Sequence, residues 1–283
     1  MAARPDEVGL VYALLGHPVH HSLSPPMQNA AFQAANVHAV YVAIDVPPER
    51  LRDTLRGLHA AGVAGLNLTA PHKEAAWEFL SGATEEASRI RAANTLRREA
   101  EGWRGHATDG LGFRDWIQEL GISVAGARVL LMGAGGAARS LAPVLARLQP
   151  GSVDVVSRDR ARAAGLVEAL GAATIGWGAR ALPDASETSA SSGWDLLIRA
   201  LASDTIDDAE GAWWNRLGAG ATVLELNYGA RASASRARAA SEGRRFEDGL
   251  GLLLHQGAHS YEFWRGDRAP VEAMRRALAQ SAG

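Results

Sequence analysis

The 283-residue sequence contains no cysteine and only one lysine, Lys73. Without cysteine, the chain can form no disulfide, thiolate nucleophile or cysteine-ligated metal site. The other 28 of the 29 basic residues are arginines. A guanidinium keeps its proton in proteins, whereas an ammonium has a pKa near about 10.4 that its surroundings can lower to about 7–8. The single lysine is therefore a candidate for proton transfer, although codon bias could also leave one lysine on a solvated face.

The sequence also lacks an apolar run of about 18 residues, and we therefore expect no membrane span. The net charge of −2 provides no basic field for nucleic acid. Residues 1–9 lack the apolar segment of a signal peptide, which favours a cytoplasmic protein. Because 47% of the residues are hydrophobic and 21% are charged, we expect a globular protein of one large or two medium domains.

Strand and helix signals alternate along the chain. In the first half, apolar strands at 8–15, 37–46 and 63–68 alternate with helices at about 25–35, 47–61 and after residue 71, which predicts an open parallel sheet covered by helices. Ser24 before two prolines is a candidate N-cap of the first helix. A helix at 84–92, a hairpin at 94–98 and 103–106, and a helix at 111–120 follow. In the second half, strands at 127–132, 153–156, 195–201 and 222–227 alternate with helices, and 178–193 is predicted to be a surface loop.

The second half begins with a glycine loop between a strand and a helix, the context required for nucleotide binding. Gly133 permits the tight turn, Gly135 allows a pyrophosphate to approach the backbone, and the small Ala138 permits close helix packing. The helix N-terminus then offers free N–H groups to phosphate. A tight turn without a ligand, or a loop for S-adenosylmethionine, remains an alternative. The candidate cofactor-binding residues of this loop are Gly133, Ala134, Gly135, Gly136 and Ala137.

The next strand ends at Ser157 and is followed by Arg158. NAD sites usually place a carboxylate at this point to hold the ribose 2′-hydroxyl, whereas a guanidinium suits the 2′-phosphate of NADP. Arg162, four residues further on, falls on the same helix face. The pattern therefore favours NADP, although a solvated arginine face is the alternative and Asp159 is an unfavourable negative neighbour.

In the first half, short polar side chains at strand ends and loop starts accompany Lys73. A carboxylate such as Asp109 could orient the ammonium and take part in proton exchange. In open α/β sheets the ligand lies beyond the carboxyl ends of the strands. Each polar residue alone more often caps a helix or forms a turn, but together they suit a polyhydroxylated substrate. These residues are Ser22, Ser24, Asn67, Thr69 and Asn94.

Several motifs in the same order resemble the shikimate dehydrogenase family over nearly the whole chain. They are segments 16–25, 93–95, 108–113, 133–139, 248–251 and 256–258, and the run Gly65-Leu66-Asn67-Leu68-Thr69-Ala70-Pro71-His72-Lys73. The resemblance implies the NADP-dependent, reversible reduction of 3-dehydroshikimate to shikimate, a reaction of chorismate and aromatic amino acid biosynthesis. It also implies an α/β fold of two domains. A substrate-binding domain of residues 1–112 and 247–283 would accompany a Rossmann-like, doubly wound NADP-binding domain of residues 113–246.

The resemblance also implies roles for individual residues. Lys73 would be the proton donor and acceptor, with Asp109 as its partner. Ser22 and Ser24 would hold the substrate carboxylate, and Arg158 and Arg162 would hold the 2′-phosphate. The remaining substrate-binding candidates are Asn67, Thr69, Asn94, Tyr228 and Gln256, and the remaining cofactor-binding candidates are Ser157 and Gly249. No metal is implied, and the protein is expected to be a monomer or homodimer.

The sequence departs from the family pattern beside the cofactor. Arg199 and Leu201 replace the asparagine and threonine of Ile-Asn-Ala-Thr, and Glu225 replaces the aspartate of Asp-x-x-Tyr. Ala107 also stands where an asparagine is usual. Because Arg199 and Leu201 could weaken or shift NADP, two alternatives stay open: a quinate/shikimate dehydrogenase that uses NAD, and a catalytically weak NADP-binding sensor.

Overall fold

The computed structural model describes residues 9–169, 177–181 and 193–281. The chain forms two compact units, Met1–Phe113 with Leu253–Gly283, and Arg114–Leu252. The predicted domain boundaries were 112/113 and 246/247, whereas the chain passes between the compact units at 113/114 and 252/253. Two helices, Asp109–Glu119 and Leu250–Arg265, span these two transitions.

The N-terminal part of the first unit alternates short strands and helices, and a hairpin and the start of a helix follow. Its elements are β1 (Leu10–Gly16), α1 (Ser24–Ala34), β2 (Ala39–Asp45), α2 (Leu51–Ala60), β3 (Gly65–Leu68), α3 (His72–Ala75), β4 (Leu80–Ala83), α4 (Glu85–Ile90), β5 (Thr95–Glu99), β6 (Gly102–His106) and the start of α5 (Asp109–Glu119). The strand order is β2-β1-β3-β5-β6-β4. Strand β5 is antiparallel to both β3 and β6, so the sheet is mixed and not purely parallel.

The interior strand β1 contributes side chains to two apolar clusters, one on each face of the sheet. Tyr12 and Leu14 pack on one face with α1 and the C-terminal helices, while Ala13 and Leu15 pack on the other face with α2. A strand buried on both faces is a continuous apolar run in the sequence. Its polar continuation therefore lies beyond the sheet, at the carboxyl edge where β1 and the parallel neighbour β3 end side by side.

The second unit is a parallel sheet between helices. Its elements are β7 (Arg128–Met132), α6 (Gly136–Arg147), β8 (Ser152–Ser157), α7 (Arg160–Ala169), β9 (Trp177–Ala181), β10 (Trp194–Arg199), α8 (Asp208–Trp214), β11 (Leu217–Glu225), α9 (Ser233–Ser241) and β12 (Phe246–Glu247). The chain then returns to the first unit through α10 (Leu250–Arg265) and α11 (Val271–Ser281). The strand order β12-β11-β10-β7-β8-β9 is that of a doubly wound dinucleotide-binding fold. The predicted fold class is confirmed.

The structure differs from the local expectations at four places. Helix α1 already begins at Ser24 after Leu23, so Ser24 is not its N-cap, and Ser22 Oγ accepts the Ser24 N–H at 3.2 Å instead. The helix expected from residue 47 begins as a 3₁₀ turn, Pro48–Arg50. Strand β4 was not foreseen. Part of the predicted loop 178–193 belongs to β9, while its residues 182–192 lie outside the described residues.

Candidate active site

Lys73 and Asp109 form an ion pair within the first unit. Lys73 lies in the short helix α3 directly after the turn at Pro71, and Asp109 is the first residue of α5. The Lys73 Nζ donates to Asp109 Oδ2 at 2.7 Å, and the two side chains are 19% and 10% exposed. A helix N-terminus favours a carboxylate. Both side chains are therefore mostly buried, which restricts their motion, and the exposed part of each can contact a ligand.

Asn94 fixes the other side of the carboxylate. It lies just before β5, and its Nδ2 is 2.9 Å from Asp109 Oδ1 and 2.8 Å from Thr108 Oγ1. Its Oδ1 accepts the Thr108 N–H at 2.7 Å. Because its amide is held on both atoms, the buried Asn94 side chain has one orientation. The hairpin thereby brings Asn94 and Asp109 together, and Asp109 contacts Lys73.

Gln256 reaches the same cluster from α10. Its Oε1 lies 3.3 Å from Asn94 Nδ2, and its Nε2 donates to the Leu253 carbonyl at 2.9 Å. The close approach depends on Gly112 of α5, because a Cβ at that position would collide with the Gln256 backbone. Helices α5 and α10 therefore touch at a point where only glycine fits.

The side-chain amide of Asn67 hydrogen-bonds to protein groups, whereas the sequence made Asn67 a candidate for substrate binding. Its Oδ1 accepts the Tyr41 hydroxyl at 2.8 Å, and its Nδ2 lies 3.1 Å from the Asn94 carbonyl oxygen. The same Nδ2 is 3.0 Å from Thr95 Oγ1 and 2.9 Å from Ser260 Oγ. The buried amide thus makes hydrogen bonds with protein groups through both its oxygen and its nitrogen, and it supports the backbone of Asn94.

A buried hydroxyl cluster behind the site was missed by the sequence reasoning. Ser260 Oγ lies 2.8 Å from Thr95 Oγ1 and 3.3 Å from Thr108 Oγ1, and it donates to the Gln256 carbonyl at 3.0 Å. Thr95 and Thr108 each adjoin a predicted site residue, and Ser260 follows Gln256 by one helical turn, so spacing could have indicated them. The hydroxyl of Tyr41, in the middle of an edge strand, leaves no comparable signal.

Ser22, Ser24 and Thr69 lie at the carboxyl edge of the first sheet. Ser22 and Ser24 belong to the connection from β1 to α1, and Thr69 follows β3. The Thr69 N–H donates to the Leu15 carbonyl at 2.9 Å, and its methyl group packs against Gly16, where a Cβ would not fit. Because β1 and β3 are parallel neighbours, both loops leave the sheet at the same edge.

The glycine loop of the second unit has the geometry that phosphate binding requires. Gly133 has a φ of +110°, and a Cβ there would lie 2.5 Å from the Ala200 carbonyl oxygen. At Gly135 a Cβ would meet open space, and α6 begins at the next residue. Ala138 is fully buried. The loop therefore leaves the backbone N–H groups at the start of α6 accessible to an anion, which fits the pyrophosphate of a dinucleotide.

After β8, the carboxylate of Asp159 caps a helix, whereas the neighbouring Arg158 and Arg162 are exposed. Asp159 Oδ1 accepts the Arg162 N–H at 3.0 Å, and Ser157 Oγ accepts the Asp159 N–H at 3.2 Å. Asp159 thus caps α7, which is the role that accounts for its place in the sequence. The Arg158 side chain is 72% exposed and lies 3.6 Å from the Asp207 carboxylate. Arg158 and Arg162 are both exposed.

The Arg199 side chain lies inside the second unit. It is fully buried and pairs with the buried carboxylates of Glu210 and Glu225. Burial lowers the pKa of this guanidinium, but its hydrogen bonds and charge interactions with both carboxylates outweigh burial, and the net pKa is raised. Leu201 is half-buried against the apolar core of the same unit.

Tyr228 and Gly249 also belong to the second unit. Tyr228 is half-buried and directly precedes the 3₁₀ turn Gly229–Ala232. Gly249 donates its N–H to the Asn227 carbonyl at 2.9 Å, and a Cβ would collide with the carbonyl of Leu226. Close backbone packing is therefore one sufficient reason for glycine at position 249.

Metal ligation and membrane spanning find no support among the described residues. No group of three or more histidine, aspartate or glutamate side chains there could hold a metal ion. Among the helices in the described part of the chain, none is long and apolar enough to cross a membrane.

Comparisons with known proteins point to one family. The model of the shikimate dehydrogenase substrate binding domain matches residues 14–96, and the model of the shikimate 5′-dehydrogenase C-terminal domain matches residues 249–279. The chain is 40% identical to the NADP⁺ shikimate dehydrogenase of Moorella thermoacetica, with 97% of this chain and 94% of that protein covered. It is 41% identical to that of Anaeromyxobacter dehalogenans, with 96% and 97% covered.

A solved structure gives the same likeness. Shikimate 5-dehydrogenase of Thermus thermophilus, in complex with NADP(H) and shikimate, superposes with a TM-score of 0.79 at 30% identity. The match covers 96% of this chain and 99% of that chain.

Proposed function

The chain belongs to the shikimate dehydrogenase family, and we propose that Lys73 and Asp109 are its acid–base pair. The enzyme is an NADP-dependent oxidoreductase that catalyses the reversible reduction of 3-dehydroshikimate to shikimate, a reaction of chorismate and aromatic amino acid biosynthesis. The comparisons do not favour the NAD-dependent quinate enzyme or the inactive sensor. The 2.7 Å contact of Lys73 Nζ with Asp109 Oδ2 is the observation that carries the catalytic assignment.

In the proposed reaction, Lys73 moves the proton. NADPH, when bound, supplies a hydride to the carbonyl carbon of 3-dehydroshikimate. Lys73 Nζ donates a proton to the carbonyl oxygen, so that the new alkoxide becomes a hydroxyl, and in the reverse direction Nζ accepts that proton. Asp109 holds the amine in place through Oδ2. An arginine in place of Lys73 would keep the positive charge but would not release its proton to the substrate.

The polar side chains around the pair suit a hydroxylated acid. We assign Ser22 and Ser24 to the substrate carboxylate, because their loop leaves the sheet beside that of Thr69. Asn94 and Gln256 are assigned to ring hydroxyls, since both already point at the cluster around Asp109. The other substrate-binding candidates are Asn67, Thr69 and Tyr228, of which Asn67 contributes chiefly by supporting Asn94.

The second unit is proposed to bind NADP. The loop from Gly133 to Ala137 would receive the pyrophosphate at the start of α6, and Arg158 and Arg162 would pair with the 2′-phosphate. Ser157 orders the turn before these arginines, and Gly249 packs the chain closely where it leaves β12. These observations support the assignment of the first unit to substrate and the second to cofactor.

The proposal extends to localisation, oligomeric state and nucleic-acid binding. We propose that the enzyme acts in the cytoplasm, as a monomer or homodimer, and without a nucleic-acid partner. The net charge of −2 supports the last of these, because it provides no basic field for phosphate backbones.

A four-way activity assay tests the proposed function. Initial rates would be measured with shikimate or quinate, each with NADP⁺ or NAD⁺. We expect the highest kcat/KM with shikimate and NADP⁺. A faster reaction with quinate and NAD⁺, or tight NADP⁺ binding without turnover of either substrate, would contradict the assignment.

A further inference from the structure

Strand β10 lies at the point where the second sheet reverses its direction of winding. From β7 the chain proceeds outward through β8 and β9, and it then returns to add β10 and β11 on the other side of β7. Ligands of open α/β sheets bind outside the carboxyl ends of the two strands that meet at such a point. The segment directly after β10 therefore lies at the sheet edge where this rule places a cofactor. The backbone agrees, because the Ala200 N–H donates to the Met132 carbonyl at 2.7 Å and the Ala200 carbonyl packs on Gly133.

Arg199, the last residue of β10, turns its guanidinium away from this edge and into the protein. Its Nε donates to Glu210 Oε1 at 2.6 Å and its Nη2 to Glu210 Oε2 at 3.1 Å, a paired contact. Its Nη1 donates to Glu225 Oε2 at 2.9 Å. Glu210 belongs to α8 and Glu225 ends β11. One cation thus joins three elements of the unit.

The cluster contains two carboxylates but one guanidinium, and neutral hydrogen-bond donors stabilise the additional negative charge. Ser235 Oγ donates to Glu225 Oε2 at 2.6 Å, and Trp214 Nε1 donates to Glu210 Oε1 at 3.2 Å. The Asn227 N–H donates to Glu225 Oε1 at 2.9 Å. A buried ion cluster repays its desolvation cost only when its lone pairs and protons are satisfied in this way, and such a cluster is weak evidence for stability.

The cluster also binds the backbone that follows both strands. Arg199 Nη1 donates to the Ser203 carbonyl at 2.8 Å, and Nη2 donates to the Thr205 carbonyl at 2.9 Å. Asn227, held by Glu225, donates through Nδ2 to the Leu201 carbonyl at 2.9 Å. The segments 200–205 and 226–228 are therefore held to each other and to the buried guanidinium.

We propose that Arg199, held by Glu210 and Glu225, is a positioning residue that pre-forms the cofactor-facing segment 200–205, and the segment 226–228 that is bonded to it, for NADP binding. The proposal rests on the proposed function of the second unit as the NADP-binding unit. Segments that are ordered before binding cost no ordering entropy when the cofactor arrives. The departure of this sequence at positions 199 and 225 is then one coupled change, in which a longer acid accompanies a buried arginine.

Hydrogen–deuterium exchange on the wild-type enzyme tests the pre-formed state without any variant. Peptides covering 200–206 and 225–228 are expected to be protected already without cofactor and to gain little protection when NADP⁺ is added. Rapid exchange of these peptides in the free enzyme, followed by strong protection with NADP⁺, would overturn the proposal.

The Arg199→Lys variant tests the link to cofactor affinity. Lysine keeps the positive charge between the two carboxylates but lacks the fork of five donors, so the carbonyl contacts of Ser203 and Thr205 are lost. We expect the NADP⁺ Kd to rise by about threefold to tenfold, as loss of pre-ordering implies. The KM for shikimate at saturating NADP⁺ should stay unchanged. A folded variant with the wild-type Kd would overturn the proposal.

Arg128→Met is the matched control, because Arg128 pairs with Asp195 near the opposite end of β10. It should leave the NADP⁺ Kd unchanged. Titration of the wild-type enzyme with NADP⁺ distinguishes a failure of the proposed function from a failure of the positioning role. If the wild type does not bind NADP⁺, the proposed function fails, whereas unchanged binding by Arg199→Lys removes only the positioning role. If Arg199→Lys does not fold, the exchange result alone supports or overturns the proposal.

Discussion

The side-chain amide of Asn94 donates to Oδ1 of Asp109 at 2.9 Å, opposite the oxygen that accepts from Lys73. Both oxygens of the carboxylate are therefore occupied by donors, and the plane of the carboxylate is fixed. Fixed donors and acceptors reduce the rearrangement needed when a proton moves. In this account Asp109 orients the amine, and Asn94 orients Asp109.

Asp109→Asn should remove most of the activity. The amide cannot accept from Lys73 and Asn94 on both of its atoms, so the amine loses its fixed position. We expect kcat to fall by about 100- to 10,000-fold, the range for one acid–base group. The change would be measured from initial rates with shikimate and NADP⁺. Asp115→Asn, on the same helix, is the control, and equal rates for the two variants would argue against the role of Asp109.

Gly112→Ala should impair substrate binding without touching a polar group. The added methyl meets the backbone of Gln256 and must push α10 away from Asn94. Overpacking of this kind costs about 1–3 kcal/mol of stability, and we also expect a higher KM for shikimate. Gly57→Ala in α2 is a matched control, because its Cβ meets no neighbour and alanine favours a helix by about 0.5–1 kcal/mol. An unchanged KM in Gly112→Ala would separate Gln256 from the substrate.

Arg158→Gln should shift cofactor preference. Hydrogen bonds to charged groups contribute about 1.5–3 kcal/mol, so the KM for NADP⁺ should rise by about 10- to 100-fold while the KM for NAD⁺ changes little. Arg160→Gln, on the exposed start of α7, is the control. Asp159→Asn should keep wild-type cofactor preference, because asparagine also caps a helix. A parallel rise in both KM values would show that Arg158 does not contact the 2′-phosphate.

His106 should make the enzyme less stable in acid. Burial lowers the pKa of His106 from 6.5 to about 4, against the opposing charge of Glu86. Between these values the unfolded chain binds a proton that the folded protein excludes, so stability falls as pH falls from 6.5 to about 4. The difference of about 2.5 pH units corresponds to about 3 kcal/mol, and above pH 6.5 this contribution is absent.

Urea unfolding of the wild type and His106→Gln from pH 4 to 7.5 would measure this contribution. The difference in stability between the two proteins should move in favour of the variant as pH falls. A difference that stays constant with pH would contradict the low pKa of His106.

Local patterns were sufficient for much of the fold. The apolar run of β1, the hairpin of β5 and β6, and the glycine turn before α6 each carry their signal within a few residues. Strand β4 was missed because it is four residues long and has an irregular register with β6. The antiparallel placement of β5 depends on its partners in the sheet, which no local period encodes.

Local sequence signals also predicted part of the site, whereas contacts between distant residues could not be predicted. Lys73, Asn94 and Asp109 were predicted together and lie together. Lys73 and Asp109 lie in the helices that follow β3 and β6, and Asn94 directly precedes β5, which is antiparallel to both strands. The partners of Arg199 could not be predicted, because Glu210 and Glu225 are distant in sequence and meet it only through packing. For this reason the sequence suggested that Arg199 could weaken or shift NADP, although its side chain lies in the core of the second unit.

The central claim is that Lys73 transfers the proton, and Lys73→Arg tests it most directly. Arginine keeps the positive charge beside Asp109 but does not release its proton. We expect the variant to bind shikimate and NADP⁺ with Kd values near those of the wild type, while kcat falls by about 100-fold or more. A variant that binds both ligands and turns over within a few-fold of the wild-type rate would contradict the assignment of Lys73.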